Sequence, residues 1–138
     1  MDELSQGLRI SANLYACMLS DVSLRAPLEA CGLLGGVGDL CLAVIPVTNA
    51  LQSRVRFRMQ PVEQLRAFLL LEGHGLSLLG IYHSHPAGPE GMSALDLAEA
   101  YYPEAAHLIW SPSGAGWECR CYRLLDGRAL PVPLRVFQ

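Results

Sequence analysis

A chain of 138 residues, about half of them apolar and with a net charge of −3, has room for one domain with one sizeable core and little else. No apolar run reaches the roughly 18–20 uncharged residues of a membrane span, and no basic cluster offers the positive face that nucleic-acid phosphates require. The acidic start, MDELSQG, lacks the basic-then-apolar pattern of a secretory signal, which argues for a cytoplasmic protein.

In chain order, GLRI (7–10) reads as a short strand, with Ser11 placed to cap a helix. Leu14, Met18 and Val22, joined by Tyr15 and Leu19, form a stripe at helical spacing that Pro27 closes. ACGLLGGV (30–37) and LCLAVIPVTN (40–49) read as buried strands around a Gly38/Asp39 turn. RVRFRM (54–59) alternates Arg with Val, Phe and Met, which predicts an edge strand with one wet face. Pro61 suits a first helical position, and Val62, Leu65, Phe68 and Leu69 mark the apolar side of a second helix ended by Gly73.

LSLLGIYHSH (76–85) is continuously apolar until its histidines, as expected of a central strand covered on both faces. Residues 93–102 predict a third helix, stopped by Pro103. AHLIWS (106–111) and WECRCYRLL (117–125) flank a Gly-rich turn, and LPVPLRVF closes the chain in extended form. Three helices among about seven strands indicate a single α/β domain over residues 1–138, layered around a mixed sheet.

The end of the 76–85 strand carries the chemistry. His83 and His85, two apart on a strand, project from one face and can converge on one ion. The Gly/Pro loop after them lets the chain turn back, so Asp96, in the first turn of the third helix, can reach the same point. Two imidazoles and a carboxylate suit Zn²⁺ and leave a fourth position open, as in catalytic sites. Random placement of four His in 138 positions yields about 0.1 His-x-His pairs, so the pair alone is a weak motif. Ser93 and Asp96 also form a capping box without any metal, and both roles place the carboxylate at the helix entrance.

Glu29 in EACGLLGG, followed by HSHP, Ser93 and Asp96, resembles the JAMM/MPN+ metalloproteases: a distant Glu, His-x-His, ten residues, then Asp, with a Ser three before it. IPVTNA, FRMQPVEQLRAF and the last strands resemble small prokaryotic members that act on ubiquitin-like sulfur-carrier proteins. The resemblance implies the MPN (JAB) fold, with a mixed, curved sheet flanked by helices. It implies one Zn²⁺ per chain held by His83, His85 and Asp96, with Glu29 as general base and Ser93 as hydrogen-bond donor to the oxyanion. Apart from the resemblance, Glu29 reads as an exposed carboxylate ahead of a strand.

Compactness suggests a minimal catalytic core, and a metal cleft beside a strand edge suits an extended tail ending in Gly-Gly. The expected activity is (iso)peptide hydrolysis after the C-terminal Gly-Gly of a ubiquitin-like or sulfur-carrier protein. The alternatives are a non-catalytic MPN scaffold and a cell-wall or phage-tail peptidase of the same family. A zinc deaminase would require a Pro-Cys-x-x-Cys pair, which the sequence lacks. His74 reads as a loop residue and His107 as a strand-end residue. The five cysteines fit no disulfide framework: Cys31 reads as a packed thiol, and Cys119 and Cys121 as core residues sharing a strand face. All ten basic residues are Arg, which reads as genome composition.

Overall fold

A computed structural model describes residues 7–138; the acidic N-terminus read for a signal lies outside them. Its elements are β1 (Leu8–Ser11), α1 (Ala12–Arg25), β2 (Cys31–Val37), β3 (Leu40–Val47), α2 (Pro61–Gly73), β4 (Ser77–Ser84), α3 (Ala94–Ala98), β5 (Ala106–Ser113), β6 (Gly116–Leu125), β7 (Arg128–Val132) and β8 (Leu134–Phe137). The eight strands, one more than the sequence suggested, form one sheet in the order β7-β6-β5-β4-β2-β3-β1-β8. β4 runs parallel to β5, and β1 runs parallel to both β3 and β8; the other neighbours are antiparallel.

Each face of the sheet has its own core. On one, Met18 and Val22 of α1 pack with Leu34, Tyr82, Leu108 and Trp110. On the other, Ala67 of α2 packs with Cys31, Leu33, Met59 and Ile81. β4 lies between the two cores, which is why its sequence is apolar without alternation. No helix of the described residues is long and apolar enough to cross a membrane.

Local chemistry sets the helix starts. Ser11 Oγ accepts a hydrogen bond from the Leu14 N–H at 3.2 Å. Gln60 Oε1 accepts one from the Glu63 N–H at 2.8 Å, with Pro61 at the first helical position. Gly38 takes the positive φ that the β2–β3 turn requires.

Three expectations need correction. Residues 54–59 are not a strand: they form a loop with one isolated bridge, Asn49 to Met59. Arg54, Arg56 and Arg58 do face solvent, but so does Val55, and only Phe57 and Met59 turn inward. The apolar stripe of α2 also differs. Ala67 and Leu71 are its buried residues, whereas Val62, Leu65 and Leu69 are more than half exposed. The small Ala67, and Gly35 opposite Leu71, let the helix approach along the Gln64, Ala67, Phe68, Leu71 row.

α3 spans five residues rather than reaching 102. Pro103 disfavours helical backbone at Tyr102, and the Tyr102 ring instead packs against Phe68, 5.6 Å between centroids.

Gly32 is required by packing, because a Cβ there would run into the Tyr82 ring. That ring is fully buried and its hydroxyl donates to Asp21 Oδ2 at 2.8 Å, so it has nowhere to move. Gly32→Ala should destabilise the fold by about 1–3 kcal/mol, the range for overpacked cores, measured by urea unfolding.

Candidate active site

Strand register assembles the first part of the site. β2 pairs antiparallel with β4, Cys31 opposite His83. Two residues further on, that register sets Glu29 across from His85, and two bonds hold it there: Ser84 N–H to the Ala30 carbonyl at 3.1 Å, and Ala30 N–H to Ser84 Oγ at 2.8 Å. By strand alternation Glu29, Cys31, His83 and His85 share the α2 side of the sheet. Ligand atoms of Glu29, His83 and His85 lie within 4.8 Å of one another, and all three residues are buried. Glu29 is therefore not an exposed carboxylate.

α3 brings the fourth group. Asp96 Oδ1 lies 3.1 Å from His83 Nε2, and Oδ2 lies 3.0 Å from His85 Nε2. The capping box is also present: Ser93 Oγ accepts from the Asp96 N–H at 3.1 Å, and Asp96 Oδ2 accepts from the Ser93 N–H at 2.9 Å. Cap and site use one carboxylate together. Having accepted the Asp96 N–H, the Ser93 hydroxyl keeps its own proton free to donate.

The donor set fits a cation. His85 Nδ1 lies 2.8 Å from the Pro89 carbonyl, which can only accept, so Nδ1 carries the proton and Nε2 presents a lone pair. The two Nε2 atoms face each other at 3.1 Å. Two lone pairs at that distance repel unless a proton or a cation lies between them. Ligand atoms around a tetrahedral ion with Zn–N lengths near 2.05 Å sit about 3.3 Å apart, close to the spacings here. In addition, Glu29 Oε1 and His83 Nδ1 are buried without a hydrogen-bond partner.

Titration follows the surroundings. Burial pushes the Glu29 carboxyl up to about 7; His85 opposes this and the Asp96 charge adds to it. Burial lowers the His83 pKa, against the pull of Asp96, so that ring is neutral. At Asp96 burial works against ionisation, but the contacts with His83 and His85, helped by the Ser93 N–H, outweigh it and hold the carboxyl far below its usual range. An ion bound among them would further favour every anionic form.

Sequence reasoning passed over Asn49. Its buried side chain uses its full capacity of four hydrogen bonds. Nδ2 donates to the carbonyls of Glu29 (3.1 Å) and Arg56 (3.0 Å), and Oδ1 accepts from the N–H groups of Leu51 (3.1 Å) and Arg58 (3.2 Å). The Glu29 N–H donates to the Ser53 carbonyl at 2.8 Å, so the backbone of Glu29 is fixed on both sides while its carboxylate stays free. Phe57, between the two loop residues that Asn49 grips, stacks on His83 with centroids 4.4 Å apart. The available signal was an Asn closing a strand ahead of a polar loop.

A cleft of about 730 Å³ opens beside His83 and Asp96, lined also by Leu51, Arg56, Phe57 and Tyr101. Arg56 bridges it to α3 by a two-pronged pair with Glu99, at 2.7 and 3.1 Å. His74 caps the end of α2, exposed, as a loop residue. His107 lies one residue into β5, buried, and lines the same cleft with Nε2 3.3 Å from the Tyr102 carbonyl. Cys31 is a packed thiol whose pKa burial pushes up to about 12. All five cysteines are unpaired; Cys17 is exposed, Cys119 half-buried and Cys121 buried.

Residues 11–125 match the family described as prokaryotic homologues of the JAB domain. The chain belongs to that family. It has the JAB, or MPN, fold and is a JAMM-type peptidase. A CysO-cysteine peptidase from Mycobacterium tuberculosis is 33% identical over 134 residues, covering 95% of this chain and 92% of the relative. A probable TtuB-protein conjugate cleaving protease from Thermus thermophilus is 36% identical, covering 78% of this chain and 70% of its own. Among solved structures, a protein from Desulfitobacterium hafniense aligns with a TM-score of 0.82 at 32% identity, over 94% of this chain and 93% of that one.

Within this JAB domain Asn49 carries a structural burden. Asn49→Ala strands two buried carbonyls and two N–H groups, at about 1–3 kcal/mol for each group that water cannot reach. A net loss of about 3 kcal/mol in unfolding free energy is expected from chemical denaturation.

Proposed function

We propose that this JAB-family chain is a zinc-dependent peptidase or isopeptidase, acting in the cytoplasm as one domain over residues 1–138. It hydrolyses the bond that follows the C-terminal Gly-Gly of a ubiquitin-like or sulfur-carrier protein. The observation that carries the reading is the meeting of His83, His85 and Asp96 beside a buried Glu29 whose Oε1 lacks a partner. The names of the two relatives support the substrate class, since one is a CysO-cysteine peptidase and the other a probable TtuB-protein conjugate cleaving protease.

On this reading His83, His85 and Asp96 hold one Zn²⁺. When bound, that ion supplies a Lewis acid that lowers the pKa of water toward ~7. Glu29, its backbone fixed by Asn49 and Ser53, accepts the proton of the attacking water and hands it to the leaving amine. A bound ion would favour the anionic form of Glu29, the form that can accept that proton. Ser93 donates its free hydroxyl proton to the carbonyl oxygen as negative charge develops there. The cleft takes the extended tail, and glycines at its end let the backbone approach the centre. Because residues 54–59 form no strand, the grip on the tail comes from the cleft walls rather than from an edge-strand ladder.

Purified protein should hold one zinc per chain and cleave a Gly-Gly-linked fusion, with loss on chelation and recovery on adding zinc. Glu29→Gln should keep the zinc and lose turnover; a fully active Glu29→Gln would remove Glu29 from the chemistry. A zinc-loaded protein that cleaves no such fusion would overturn the Gly-Gly substrate.

Ser93→Ala should lower kcat about 10²–10³-fold, the cost of one oxyanion donor. Ser93→Gly separates this from the lost cap, because glycine caps a helix within a few tenths of a kcal/mol of serine. If the donor role holds, both variants lose the same activity in single-turnover assays.

A further inference from the structure

We infer that Phe57 is a positioning residue for His83, substituting an aromatic face for the hydrogen bond that normally orients a metal-binding imidazole. The inference rests on the metal reading proposed above and adds a residue that acts on a ligand of the ion rather than on the ion itself.

The two histidines are supported differently. His85 has a partner for its second nitrogen, the Pro89 carbonyl at 2.8 Å. His83 Nδ1 is buried and has none. An imidazole without an outer hydrogen bond is free to rotate about its terminal torsion, which is broad for sp³–sp² bonds. Ligating histidines almost always gain such a bond, and losing it typically costs 10–100-fold in metal affinity. Some other contact must fix the ring of His83.

Phe57 supplies that contact. Its ring lies 4.4 Å from the His83 ring, inclined by 28°, a near-parallel arrangement that restricts rotation of a flat neighbour. The phenyl is itself held. Asn49 grips the residues on both sides of it, the Arg56 carbonyl at 3.0 Å and the Arg58 N–H at 3.2 Å. Arg56 is pinned to Glu99 on α3. The same amide of Asn49 holds the Glu29 carbonyl at 3.1 Å, so one buried side chain ties the backbone of the base to the loop that fixes a ligand.

The test titrates Co²⁺ and Zn²⁺ into the full chain against a competing chelator and records the visible d–d bands of the cobalt form. Phe57→Leu keeps an apolar side chain against the Ile81 cluster but removes the flat face. It should bind both ions about 10–100-fold more weakly and shift the cobalt bands, with the thermal unfolding transition intact. Phe57→Tyr should restore affinity and spectrum. If Phe57→Leu does not fold, Arg56→Gln at an exposed side chain frees the loop from outside and should weaken binding in the same direction.

Unchanged affinity and bands in the folded Phe57→Leu variant, or in Arg56→Gln where that variant is needed, overturn the inference and leave the metal site standing. A wild-type chain that binds neither ion overturns the metal reading and this inference with it.

Discussion

The pairing of β2 with β4 is the constraint on which the site depends. With Cys31 opposite His83, Glu29 falls opposite His85 and all four side chains emerge on the α2 side. A slip of one residue would send Glu29 to the α1 core, because strand side chains alternate with a period of two. Several features exclude that slip. Ser84 and Ala30 exchange two bonds beyond the last pair, Gly32 alone leaves room for the Tyr82 ring, and both faces of β4 are buried. The separation of the proposed base from the imidazoles is thus set by the end of the sheet ladder and the two Ser84–Ala30 bonds that extend it.

Of the four groups of the site only Asp96 comes from a helix, and that helix has five residues. Isolated helices that short are not stable in water. The capping box and the Arg56–Glu99 pair at the other end hold it in place. The cap fixes the orientation of the carboxylate: Oδ2 takes the Ser93 N–H while both oxygens stay within 3.1 Å of an imidazole. Cap and ligand roles, which look like competitors in the sequence, are complementary, since a ligating carboxylate needs a hydrogen bond of its own.

The sequence carried the strands well because burial wrote itself into them. β4 is apolar without alternation and is central; β5 and β6 flank their Gly-rich turn as expected. The proposed site residues were legible as a spaced motif, since a ladder converts fixed spacing into fixed distance. Other parts were not legible, for physical reasons. Residues 54–59 alternate like a strand in sequence, but they form a loop gripped by one amide, in which Phe57 and Met59 turn inward and Val55 does not. The α2 stripe pointed the wrong way because Gly35 and Ala67 made close approach favourable on a different row. Asn49 left no periodic trace: its partners, Glu29, Leu51, Arg56 and Arg58, are scattered along the chain.

The unequal support of the two histidines follows from where each sits relative to the end of β4. His83 is inside the strand, and the strands on either side, β2 and β5, spend their main-chain groups on the ladder. An imidazole there finds no carbonyl to spare for its second nitrogen. His85 lies one residue beyond the strand, where the Gly/Pro loop turns back and offers the Pro89 carbonyl. Here the outer imidazole is held by a hydrogen bond, whereas the inner one lies against the ring of Phe57 on the neighbouring loop.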